Sequence, residues 1–291
     1  MSSVLFDEPG PAAKRRNAVL TVLGAVLVLF IAFVAVSRLH ASGQFEGRRW
    51  EWIEYEGIQR NLLRGLITTL KAFAIAAFLS IVLGLGLAVG RLSTRAWVRW
   101  PSTAVVTVFR ALPVVVLMYF PYLGAKPLLD TSIPLLWCVV FGLTVYNGSV
   151  LAEIFRAGVV AVPKGQQEAA SAIGLTRAQT LRIVLFPQAV RAMLPTIISQ
   201  LVVVLKDTAL GFVIGFQELL FEGQGITDES RFGRPIIPVA IVVGAVYVVL
   251  CSLLSLLATR IERRSGSAVR RRPGGFANGI PDADAAPLPS A

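Results

Sequence analysis

The amino-acid sequence predicts an all-α, polytopic membrane protein with six transmembrane helices. Three observations carry that expectation. Hydrophobic residues make up 55% of the chain and charged residues only 15%, against roughly 25% charged in soluble domains. The apolar residues are gathered into long uncharged runs, and a helix of about 20 such residues crosses a hydrocarbon core roughly 30 Å thick. The cations that give a formal net charge of +11 are concentrated on one side of those runs. A disordered chain, an ordinary nucleic-acid binder and a soluble enzyme are all poor fits to this composition. Cys138 and Cys251 lie inside apolar runs and define neither a disulfide framework nor a metal site.

The spans follow in order. Residues 18–36 are uncharged and follow Lys14, Arg15 and Arg16. A signal peptide begins in the same way, but this run is long for one and lacks a convincing small-x-small cleavage site, so a retained helix is expected. Residues 72–90 form the second run, with the helix starting near Leu62. Residues 102–123 form a third, interrupted by Arg110, Pro113 and Pro121. Residues 131–152 give a fourth that continues past Glu153. Residues 188–205 give a fifth with only Arg191 inside, and 235–259 a sixth without charge. The segment 208–216 is too short to cross by itself, and either extends the fifth helix or packs against it.

Orientation is read from Lys and Arg in the connections. With the N-terminus inside, the inner segments hold sixteen of these residues, including Arg91, Arg156, Lys164, Arg177, Arg182 and Arg260, and the outer segments hold nine. Both termini are therefore expected in the cytoplasm, where the anionic leaflet surface accounts for the net positive charge without nucleic acid. The expected organisation is a cytoplasmic segment 1–17, a first span and external connection 18–60, a core 61–262 and a cytoplasmic, disordered tail 263–291. In the first connection Trp50, Trp52 and Tyr55 alternate with acids and read as an interfacial aromatic segment. Glu218 and Glu222 read as a solvated face.

The connection between spans four and five is the informative stretch. Pro163 and Gly165 punctuate its start, and Gln166–Ile173 is rich in helix formers. Ala169, Ala172 and Ile173 share one small apolar face. Gly174 ends the element, and Thr176 is placed to cap a second helix that Pro187 is expected to break. Two readings stand: a helix pair lying on this protein's own bundle, or a docking element for a cytoplasmic partner. Spacing alone does not separate them.

The segment resembles the EAA loop of permease subunits of binding-protein-dependent ABC importers. Glu168, Ala169 and Ala170, followed at the right distance by Gly174, carry the likeness. Gly174-Leu175-Thr176 with Gln179, Phe186-Pro187-Gln188-Ala189, Leu194-Pro195, the stretch Tyr146–Val159, Lys206-Asp207-Thr208-Ala209-Leu210 and Phe109–Pro113 extend it, over about residues 60–260, to the branch that imports polar amino acids. The chain departs from that pattern at Phe186, Ser199 and Ala209, where the family commonly has Leu, Asn and Ser.

The resemblance implies an ABC importer permease fold with a cytoplasmic coupling helix, in a bacterial inner membrane. It implies that Gly165, Glu168, Ala169, Ala170, Gly174 and Leu175 engage an ATP-binding cassette ATPase dimer. The further implied partners are a second permease subunit, identical or homologous, an extracellular or periplasmic solute-binding protein and a polar amino acid such as glutamate or glutamine. No catalytic residue, directly bound cofactor or metal is expected. The chain has no GxxxxGK[ST] loop, so ATP and Mg belong on the partner ATPase. Tyr146, Asn147, Ser199, Gln200, Lys206, Asp207 and Thr208 are the candidate translocation-path residues. An intramembrane Asn must find a partner or line a cavity. Glu153 and Arg156, three apart, are expected to pair along one helix face, as a structural or gating pair, and Arg110 is expected to snorkel near the inner end of span three.

Overall fold

The computed structural model describes residues 10–266. Among these every regular element is helical. They are α1 (Pro11–Ala41), α2 (Glu56–Arg91), α3 (Ala96–Ala111), α4 (Val114–Leu129), α5 (Leu135–Ala161), α6 (Lys164–Ala172), the one-turn α7 (Arg177–Gln179), α8 (Phe186–Asp207), α9 (Leu219–Thr227) and α10 (Ile236–Gly266), joined by short 3₁₀ and π segments. Five helical stretches are long and apolar enough to cross a membrane, and α3 with α4 makes a sixth only as a pair bent by 98°. The expected tail begins inside α10, which runs to Gly266; its remainder lies outside the described residues.

The third span is thus a correction to the expected single helix over 102–123. A proline pushes the residue before it out of the α region. Leu112, before Pro113, is extended at φ −88°, ψ 136°, and Pro113 starts α4. The fifth span is corrected in the opposite sense. Pro187 is expected to break the second helix of the loop, yet helix is continuous from Arg177 through α8 into a 3₁₀ turn ending at Ile214. Thr180–Leu185 is a π-helical segment, and the amide of Phe186 donates to the carbonyl of Leu181. That wider winding falls immediately before the proline, which has no N–H to satisfy and sits in the first turn of α8, where proline is tolerated. The segment after Asp207 extends the fifth helix.

The chain divides into two compact units. Among the described residues, one holds residues 10–71 together with Ala209–Val248; the other holds Ala72–Thr208 and residues 249–266. In the first unit Trp52, Ile58, Leu219, Ile226, Phe232, Val239 and Val243 form the core. Trp52 is 1% exposed, so this ring is not the interfacial anchor expected of it; the 3₁₀ turn Gly47–Glu54 aims it inward. The early part of α2 meets the start of α9 at Gly65, where a Cβ would come within about 3 Å of Leu219 Cα and the Glu218 carbonyl carbon. Thr69 Oγ1 accepts the amide of Leu219 at 3.1 Å.

In the second unit α5 is the central helix, packed by α3, α4 and α8. Leu151 and Phe155 lie buried with Ala88 and Ile197. Small residues set the approach of the helices, as membrane packing requires. A Cβ at Gly142 would sit 2.8 Å from the backbone nitrogen of Met118. In α1, by contrast, no residue is buried.

Candidate functional site

Proline and glycine shape the connection between spans four and five. Val162, before Pro163, is extended, which ends α5 and turns the chain into α6. Gly174 adopts φ +82°, a conformation other residues enter at a cost. The amide of Gly174 then donates to the carbonyl of Ser171 at 3.0 Å and that of Leu175 to Ala170 at 3.1 Å, satisfying carbonyls left open at the helix end. Thr176 and Gln179 form a reciprocal capping box at α7. The expected helix–glycine turn–helix is therefore present, although its second helix continues into span five.

Burial divides α6 into two faces. Ala170 is 3% exposed and faces the chain's own packing. Gly165, Glu168, Ala169, Ala172 and Gly174 are exposed, Leu175 half-buried, and Ile173 is 77% exposed. A small apolar stripe flanked by Glu168 is left without cover from this chain. Gln188 in α8 donates to Gln166 at 3.3 Å, tying α6 to the base of span five.

Behind this loop lies a charge cluster larger than the sequence foretold. Arg156 donates to Glu153 through Nε at 3.0 Å, the expected one-turn pair. The other Glu153 oxygen is bonded by Arg91, at the end of α2, and Arg110 Nη1 of α3 approaches it to 3.6 Å. Arg110 thus points towards a carboxylate and does not simply snorkel. One carboxylate collects three guanidiniums from three helices. Arg91 was visible in the sequence only as the first charge after an apolar run. Its pairing depends on helix register between distant segments, for which no local signal exists.

Higher in α5, Asn147 is fully buried. Its amide donates to the carbonyl of Leu143 at 2.9 Å, and its Oδ1 accepts from Gln200 Nε2 of α8 at 2.7 Å. The two candidates meet as a buried interhelical amide pair. Tyr146 is half-buried, whereas Ser199 is exposed. At the end of α8 Lys206 is exposed and Asp207 half-buried. Thr208 is fully buried and its hydroxyl donates to the carbonyl of Leu205 at 2.6 Å.

Sequence reasoning also misread Glu218. It is fully buried, its carboxylate accepts the amides of Leu220 and Phe221 at the N-terminus of α9, and Tyr247 Oη donates to it at 2.7 Å. Burial pushes this carboxyl above the usual carboxylate range. The signal was present: an acid just before an apolar helical segment is a possible cap.

Over residues 80–267 the chain matches the family described as binding-protein-dependent transport system inner membrane component. It is 40% identical over 235 residues to the glutamate transport system permease protein GluD of Corynebacterium glutamicum, covering 79% of this chain and 85% of that one. It is 33% identical to the glutamate/aspartate import permease protein GltK of Escherichia coli, covering 70% and 93%. Among solved structures, an amino acid ABC transporter crystallised with histidines matches with a TM-score of 0.66 and 30% identity, covering 73% of this chain and 98% of that chain. The MetNI methionine ABC transporter in an inward-facing conformation matches with a TM-score of 0.62 and 25% identity, covering 72% and 99%.

Proposed function

The chain belongs to the family of binding-protein-dependent transport system inner membrane components, and on that premise we propose that it is the permease subunit that carries a polar amino acid, of the glutamate or glutamine type, through an ATP-driven importer. The relatives named for glutamate and glutamate/aspartate transport support the solute class. In this reading both termini face the cytoplasm, and the chain works beside a second permease subunit, a solute-binding protein outside and a pair of ATPase subunits inside. The ATPases hold ATP and Mg and perform the hydrolysis; this chain provides the path and the mechanical link.

The observation that carries the proposal is the uncovered face of α6. Residues Gly165, Glu168, Ala169 and Gly174 present small side chains and one carboxylate, a surface into which another protein can fit closely. Ala170 and Leu175 hold the helix to its own chain from the other side. When the ATPase pair closes, the two docking helices of the permease pair move with it. Each is joined at Gly174 and the capping box to a helix that continues for 38 residues, Arg177–Ile214. A displacement at the loop therefore reaches Gln200 and Asn147, and the partner's state biases an equilibrium between two arrangements of the spans.

The test is co-purification with the ATPase subunit, together with uptake of labelled glutamate, glutamine and arginine. Glu168→Arg and Gly174→Val should lose the ATPase and uptake together while the permease stays in the membrane. Unchanged association in both variants, or uptake that continues without the ATPase, overturns the reading.

A further inference from the structure

A cavity of about 380 Å³ opens beside α6, between it, the end of α5 and the π segment. Its floor is apolar: Leu92 just beyond α2, Val159 near the end of α5, and Leu181 and Leu185 of the π segment. Its polar lining is of one sign, with Lys164 and Arg177 at the opening and no carboxylate among the lining residues. Glu168, the carboxylate of α6, lines an adjoining groove that shares Lys164, Gln167 and Ser171 with this cavity. Neither cation makes an ion pair among the described residues.

Thr180 adds an independent observation. It lines the cavity and is 3% exposed, yet its hydroxyl has no hydrogen-bond partner. Several helical Ser and Thr residues elsewhere in this chain bond back four residues, among them Thr69 to Gly65, Thr103 to Arg99 and Ser149 to Val145. Thr180 does not, although its own amide bonds the Thr176 carbonyl at 2.8 Å. A buried hydroxyl left without a partner is costly, and here it sits beside two unpaired cations.

We propose that this cavity binds the phosphate group of an acidic phospholipid. Lys164 and Arg177 neutralise the phosphate, Thr180 donates to one of its oxygens, and the Leu92–Val159–Leu181–Leu185 wall receives the start of an acyl chain. Arg suits phosphate through its forked donors, and basic pockets at the ends of membrane helices are a known setting for acidic headgroups. The cavity lies at the ends of α2 and α5, where a membrane surface meets these spans. The inference needs only that the spans cross a bilayer, and not the amino acid reading. A lipid seated here would brace α6 against the end of α5 and set its standing position against the spans.

The experiment uses the full-length protein, purified in detergent and examined by native mass spectrometry with phosphatidylglycerol or phosphatidylcholine added. Retention of phosphatidylglycerol but not phosphatidylcholine is expected. Thr180→Val and Arg177→Gln should each weaken it about tenfold, the usual effect of losing one strong hydrogen bond to a charged group. Lys164→Gln serves as a third variant should one of these fail to fold, and Arg15→Gln, far from the cavity in sequence, should change nothing. Equal retention of the two lipids, or equal loss in Arg15→Gln, would mean diffuse attraction and overturn the proposal. Glycerol 3-phosphate binding as tightly as the lipid would assign the site to a free phosphate. Recovery of the ATPase lost in Arg177→Gln while lipid is kept would assign it to an acidic side chain of the partner.

Discussion

Gly174 stands at φ +82° with open space where a Cβ would be, so its importance is conformational and not steric. Substitution should follow backbone preference. Gly174→Asn should be mild, whereas Gly174→Val should cost about 1–2 kcal/mol locally and shift the direction of α6; ATPase co-purification measures the difference. Glu153 makes a second case. Replacing it with Gln leaves Arg91, Arg110 and Arg156 facing one another around a neutral amide. The cluster is partly exposed, so the expected loss is about 1–3 kcal/mol, below that of a fully buried pair. A thermal melt of the purified variant reads it, and Glu153→Asp should recover part of the loss.

Glu218 gives a pH prediction whose sign is fixed by burial. Its carboxyl is held above the ordinary range in the folded chain, so the folded state binds a proton that the unfolded state has already released. Stability from this group is complete below the ordinary carboxylate pKa and falls as pH rises through the raised one. Thermal melts across that window should show wild type losing stability relative to Glu218→Gln as pH increases. An unchanged difference between the two proteins at all pH values would contradict the assignment.

At the scale of elements, α5 is the packing axis of its unit, and its glycines set the distance to its neighbours. A Cβ at Gly142 meets the Met118 backbone, which cannot move aside as a flexible side chain can. Gly142→Leu should therefore separate α4 from α5 and destabilise the chain by about 1–3 kcal/mol or more. Spans one, two, four and six were legible because long uncharged runs, bounded by Arg or Lys except in span four, where Asp130 and Glu153 flank the run, report directly on burial in lipid. The third was not, because hydropathy is blind to the extended conformation that Pro113 imposes on Leu112. In the fifth, Pro187 gave the wrong signal because the π turn before it absorbs the proline. The loop was legible almost residue by residue, since Pro163, Gly174 and the Thr176–Gln179 box act locally. Arg91 was not, because its partner comes from a remote segment; Glu218 carried a local capping signal, but its burial against Tyr247 depends on a remote one.

For the whole molecule, the proposed topology, with more Lys and Arg on the inner side, puts α6 on the cytoplasmic side of the membrane. Cys138 and Cys251 replaced by Ala, a single cysteine at Ile173, which is 77% exposed, should resist a membrane-impermeant maleimide in intact cells and react in inverted vesicles. Labelling from outside would reverse the topology.

No residue of α1 is buried, and neither core described above includes one of its side chains. Its apolar surface answers to its surroundings and not to its own fold. Tolerance along Ala18–Val36 thus becomes a probe of the neighbourhood. If acyl chains surround the helix, any greasy residue serves equally well and a mutational scan comes out flat. If a companion subunit leans on it, sensitivity gathers into one stripe recurring every three to four positions, and that stripe maps the companion's footprint.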